Sequence, residues 1–277
     1  MSAMWLAPAM MIASGSIHAV VNAILKGGKD KLAGRATIDG TSALILLPAL
    51  FFVPLPHGAW EWLLASALLH CFYLYALVRA LEASDLSAAY PILRGTAPLL
   101  TAGLAIGVFG EAASLRELLG IALIGGAVLA MVAGRHIGTS GLLWSLATAV
   151  TISAYTVIDA QGVRAAPEPW SYIAWLFVVM GACVVTMFGV LSKGAIFASA
   201  RAQWRPGAVA GVLSIVTYGL ALSALALGPT APLAALRETG MATALLISVL
   251  FLREKVTLLR GASVLGIFAG AVLILTR

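Results

Sequence analysis

The sequence predicts an all-α integral membrane protein: ten transmembrane helices forming two inverted five-helix repeats around a central cavity. Three observations predict it. The 277 residues are 61% hydrophobic and only 10% charged, with a mean hydropathy of +1.03. Apolar runs of about 20 residues, the length a helix needs to cross a bilayer, recur along nearly the whole chain. Arg94 and Glu111 each have a counterpart 143 residues later, in Arg237 and Glu254. A β-barrel would show short alternating segments instead. The polar remainder is too small for a separate soluble domain.

The apolar runs place helices at 4–26, 36–55, 60–82, 86–109, 114–134, 138–164, 170–192, 206–227, 229–252 and 256–275. Short polar connections separate them, such as KGGKDKLAGR, GEAAS and RAAPEP; SKGAIFASARAQWRP reads as a longer loop. The first run is not a signal peptide by its pattern: it lacks a basic leading segment and carries His18 and Asn22. Each predicted Glu closes the helix its Arg opens, and a Gly-rich helix follows both. Residues 1–137 and 138–277 therefore read as two copies of one unit. An odd helix count per copy forces the copies into opposite orientations, and inverted repeats of this kind bind substrate at their interface.

The net charge of +6 reads as membrane topology rather than as affinity for nucleic acid. Twelve Lys and Arg fall on the odd-numbered connections and three on the opposite side, which predicts both termini outside. Cys71 and Cys183 both lie inside apolar runs, against a disulfide framework. The four histidines are scattered without metal spacing, and no phosphate-binding glycine loop appears. No cofactor, metal or ATP is expected.

The polar residues inside the apolar runs carry the candidate chemistry. In the first helix Ser14, His18, Asn22 and Lys26 share one face at four-residue steps. Such a stripe lines a cavity or bonds neighbouring helices; Lys26 reads as an interface anchor. The sixth helix repeats the step with Thr151, Tyr155 and Asp159. Asp159 either meets a substrate ammonium or a coupling proton, or is an interfacial carboxylate in water, or one paired with Arg164. His70 is a packing residue or, with Tyr73 one turn on, part of an apolar ligand wall; Arg79 pairs with Glu82 structurally.

The fourth helix holds the central signal, with Tyr90 and Arg94 on one face. Pro91 and Pro98 remove backbone donors and are expected to bend it. Arg94 lies about 12 Å below the helix end at 1.5 Å per residue, a depth lipid does not tolerate without water, an anion or a partner. It either clamps a substrate carboxylate or pairs with an acid such as Asp159 or Glu238, or with carbonyls exposed by the proline. The ninth helix repeats the device with Pro229, Pro232, Arg237 and Glu238, and Tyr218 in the eighth is a further wall residue. Glu111 and Glu254 shape turns, and the glycines of the fifth and tenth helices are close-packing surfaces.

Two repeats of five helices, a Pro- and Arg-bearing fourth helix and a Glu after the fourth and ninth helices resemble the drug/metabolite transporter superfamily, EamA type. The opening HAVVNAILKGGKD is similar to a pattern in one branch of bacterial EamA proteins. The resemblance spans essentially the whole chain. It implies a basket of helices around a cavity in a bacterial-type inner membrane, and export of small metabolites, often amino acids. Many members keep both termini in the cytoplasm, whereas the charge count here puts them outside.

The reading is therefore a secondary transporter of a small carboxylate-bearing solute, an amino acid first among them, working by alternating access. Its partners are the solute and the lipid bilayer. Proton coupling through Asp159, Glu238 or His18 and facilitated diffusion are both open. The alternatives are a membrane-embedded enzyme on a lipid-like substrate, or a channel or scaffold.

Overall fold

The structure, a computed structural model, describes residues 3–27, 30–252 and 257–276. Twelve α-helices and no strand are found among these residues: α1 Ala3–Gly27, α2 Lys31–Leu46, α3 Trp60–Ala83, α4 Leu86–Gly107, α5 Leu115–Ala130, α6 Thr139–Ala165, α7 Pro169–Leu191, α8 Ala195–Ala202, α9 Trp204–Leu227, α10 Thr230–Arg237, α11 Gly240–Leu252 and α12 Leu258–Leu275. Six of these (α1, α3, α6, α7, α9 and α12) are long and apolar enough to cross a membrane. The surface is what a bilayer requires: Phe51 and Phe52 are each 87% exposed and Leu265 70%. In water such apolar exposure would be a liability; in lipid it is solvation.

Three segments differ from the sequence reading, the first two for local reasons. The second helix starts at Lys31 rather than 36 because Asp30, in extended backbone, caps it by accepting from the Ala33 N–H. Its end tightens into a 3₁₀ turn, Leu47–Phe51, with Pro48 as its second residue. The segment read as the loop SKGAIFASARAQWRP holds α8, entered through a left-handed Gly194 (φ +83°) and anchored by the buried Ile196. The predicted ninth helix is two helices, α10 and α11, parted at Glu238 and Thr239.

The break does not fall at the prolines. Pro229 precedes α10 and Pro232 sits in its first turn, where a missing N–H costs nothing. Pro91 and Pro98 lie inside α4, which runs unbroken for 22 residues. The expected discontinuity belongs instead to the helix crossing of α1 and α11. There a Cβ on Gly240 would clash with the Gly15 backbone, and one on Gly15 would strike the Arg237 carbonyl. Two backbones meet so closely only because both residues are glycine.

The helices pair around one core. α3 packs on α6 and α1 on α9; α2 lies against α7, and α5 against α12. α4 rests on α5 and α6, while α1 also carries α10 and α11. Of the glycines expected to serve close packing, Gly120, Gly125, Gly266 and Gly270 do so, whereas Gly126 and Gly261 have open space around them; a Cβ on Gly120 in α5 would come within 2.7 Å of the Gly270 carbonyl in α12, and the converse holds. This arrangement is the small-residue interface of membrane helices. Cys71 in α3 and Cys183 in α7 are free thiols.

Candidate functional site

Halfway along α4 and at the end of α10, two arginines reach one narrow cavity. Arg94 and Arg237 line it together with Glu238, Tyr218 and the apolar Met11, Ile152 and Leu225. Its volume open to water is about 20 Å³, room for about one water molecule. A wider apolar groove between α4 and α5, about 410 Å³ and lined by Leu99, Ala102, Ile106 and Ile121, offers no polar side chain and suits lipid rather than chemistry.

The two arginines differ. Arg94 Nε lies 2.9 Å from Glu238 Oε2, with the side chains only 9% and 5% exposed. The contact is one of charge, without an aligned hydrogen bond at either atom. Of the alternatives open for Arg94, the ion pair with Glu238 is the one found. Arg237 is not so compensated. Its buried Nε has no hydrogen-bond partner, and its guanidinium rests 5.5 Å from the Tyr218 ring centre. A ring face attracts a cation but accepts none of its five N–H groups in plane. Its place in the last turn of α10, where carbonyls point outward, is one a cation favours.

Tyr218 links Arg237 to an acid. Its hydroxyl donates to Asp159 Oδ2, and Tyr172 donates to Oδ1 at 2.7 Å. Asp159 is wholly buried, so it is neither interfacial nor paired with Arg164, and one tyrosine holds each carboxylate oxygen. His70 is also buried and stacks on Tyr155 with ring centres 4.0 Å apart. Tyr218 meets its edge at 5.6 Å and Tyr73 at 6.4 Å. His70 Nδ1 lies 2.9 Å from the Ser66 carbonyl. A carbonyl only accepts, so Nδ1 carries the proton. His70, Tyr73, Tyr155 and Tyr218 thus form an aromatic wall.

The stripe on α1 divides among neighbours. Ser14 bonds Thr217 in α9. Asn22 donates to the Tyr90 hydroxyl at 2.9 Å and ties α1 to α4. His18 lies half-buried between them. Thr151 bonds back to the Ala147 carbonyl of its own helix.

Sequence reasoning missed two polar groups. Arg35 and Asp39, four apart in α2, form a partly buried pair with Nε 2.8 Å from Oδ2. Starting that helix at 36 hid the spacing. Asp39 is wholly buried, and its Oδ1 has no partner among the described residues. The second is a knot at one end of the bundle. Arg164, at the end of α6, donates from Nε to the Leu225 carbonyl (2.9 Å), from Nη1 to Glu111 (2.7 Å) and from Nη2 to the Gly228 carbonyl (2.6 Å) and Thr230 hydroxyl (3.1 Å). Glu111, between α4 and α5, in turn accepts from the Thr230 N–H at 2.7 Å and its hydroxyl at 2.6 Å. It thereby caps α10, whose own N-cap, Pro229, has no side-chain acceptor. Glu111 does more than shape a turn; its counterpart Glu254 lies outside the described residues. Burial alone would push the Glu111 carboxyl up, but the bonds from Arg164 and Thr230 together hold it below the usual glutamate range. Arg79 pairs with Glu82 at 2.8 Å, exposed, as expected.

Comparison with known proteins agrees with this architecture. Residues 139–276, half of the chain, match the EamA-like transporter family. No curated protein matches the chain. A protein known from its crystal structure shares the fold with a TM-score of 0.77 at 16% identity, over 99% of this chain and 97% of that one. With its apolar exterior and its six long spans, this chain is a multi-pass membrane protein and a member of the EamA-like transporter family, in the drug/metabolite transporter superfamily.

Proposed function

We propose that the chain is a secondary transporter that exports small carboxylate-bearing solutes, amino acids among them, by alternating access at the central cavity. The observation that carries the reading is that two guanidinium groups, from α4 and α10, open on one cavity inside an apolar bundle. An uncompensated guanidinium at that depth needs an anion or water. Of the substrate-binding set, Arg94, Arg237 and Tyr218 line the cavity; His18, Asn22, His70, Tyr73, Tyr90, Tyr155 and Asp159 complete it as residues that do not line the cavity in this structure. Asp159 and Glu238 are the acids available for a coupling proton.

Two inverted repeats, 1–137 and 138–277, supply the moving halves. The helix packing supports this reading. If α1 corresponds to α6 and α3 to α9, the contacts α3 on α6 and α1 on α9 are mates. The pairs α5 with α12 and α2 with α7 then map onto themselves. The narrowness of the cavity suits a resting state between the two openings. The membrane is a bacterial-type plasma membrane, with both termini outside by the Lys and Arg distribution.

Counterflow in proteoliposomes tests the function. A panel of amino acids, organic acids, nucleosides and sugars is run with and without a pH gradient. Saturable counterflow of carboxylates is expected; unsaturable flux of all solutes indicates a channel, and chemical conversion of a solute an enzyme.

A further inference from the structure

Within the class of carboxylate solutes, and resting on the transport reading, we infer that the cavity selects monoanions, with Arg237 as the carboxylate anchor, over zwitterionic amino acids and over dicarboxylates. The argument is a count of charge at the lining. Arg94, Arg237 and Glu238 are the charged residues there. Arg94 and Glu238 neutralise each other at 2.9 Å. One positive charge is left over, on Arg237, whose buried Nε has no hydrogen-bond partner among the described residues.

An ammonium finds no such reception. Glu238 is already held by Arg94. Asp159 does not line the cavity, and each of its oxygens is occupied by a tyrosine hydroxyl. Asp39 is wholly buried against its own Arg35. Asp159 offsets Arg237 only across the length of the Tyr218 side chain. The hydroxyls of Thr101 and Thr156, both at the lining, donate to carbonyls of their own helices. Their remaining lone pairs suit a neutral hydroxyl but supply no countercharge. A buried ammonium without a countercharge costs several kcal/mol. A second carboxylate on the solute would meet Glu238 and be repelled.

The test is competition and uptake in proteoliposomes with isosteric pairs, in which a hydroxyl replaces the ammonium. These are lactate against L-alanine and 2-hydroxy-4-methylpentanoate against L-leucine, with succinate as the dicarboxylate. Each hydroxy acid is expected to be taken up about tenfold better, or more, than its amino acid. Arg237→Gln abolishes the preference and Arg237→Lys restores part of it. Glu238→Gln frees Arg94, adds a positive charge and raises succinate competition by about tenfold. Thermal melting in detergent with each solute gives a second readout for variants with low uptake, since bound solute raises the melting temperature of whatever protein is folded. Amino acids carried as well as their hydroxy isosteres, or an Arg237→Gln protein that melts normally and keeps the preference, overturns the monoanion assignment while leaving transport standing. Folded, reconstituted protein that moves none of these solutes overturns the transport reading itself.

Discussion

Replacing Arg164 by alanine should loosen one end of the bundle. The side chain makes four hydrogen bonds, to two carbonyls, a hydroxyl and a carboxylate, and so joins the ends of α6, α9 and α10 to the α4–α5 connection. A hydrogen bond to a charged group contributes about 1.5–3 kcal/mol when buried and roughly 1 kcal/mol otherwise. The site is partly wet, with Arg164 29% and Glu111 14% exposed. Water therefore recovers part of each bond, and the lower value applies to most of them. The sum is a loss of roughly 2–4 kcal/mol. Thermal unfolding in detergent should show a melting point lower by several degrees. A double-mutant cycle with Glu111→Gln isolates the pair. The two changes should be non-additive by about 1–2 kcal/mol, because they remove the same contact. Strict additivity, or an Arg164→Ala protein as stable as the parent, would refute the claim that this knot holds the helix ends together.

Acid should weaken the same knot. The Glu111 carboxyl is depressed in the folded state, so its contribution is present above its unfolded value near pH 4.3 and is lost as pH falls through the lower folded value. Melting temperature against pH in that range should fall more steeply for the parent than for Glu111→Gln. Tyr172→Phe leaves one oxygen of the buried Asp159 without its donor and should cost about 1–3 kcal/mol, read as reduced melting temperature. Gly240→Ala forces a Cβ into the Gly15 backbone and should cost about 1–3 kcal/mol or reduce the folded yield, whereas Gly103→Ala, with open space around it, should be neutral. A single cysteine appended at the C-terminus should react with an impermeant reagent in intact cells; protection reverses the proposed orientation.

The polar pattern of the helices was legible because spacing alone sets which residues share a helix face. Ser14, His18 and Asn22 at four-residue steps needed no structure to be read as one stripe. Their partners were not legible. Thr217 lies 203 residues from Ser14 and Tyr90 lies 68 from Asn22, and nothing local encodes such pairings. The ninth helix was misread for the same reason. Its sequence runs apolar across Glu238 and Thr239, and proline is the usual mark of a break. Yet α4 keeps two internal prolines without breaking, and the parting of α10 from α11 coincides with a glycine crossing against α1.

Composition and periodicity determined that this chain is a helical membrane protein, and that two arginines fall inside its apolar runs. Those are properties of each segment's own transfer from water to lipid, and they need no neighbour. Which arginine is neutralised is a different kind of fact. Arg94 and Arg237 sit in similar sequence contexts, but Arg94 meets the side chain of Glu238 and Arg237 meets a ring. A direct ion pair needs its partner within about 4 Å, so only the three-dimensional packing could decide which guanidinium gained a carboxylate in contact.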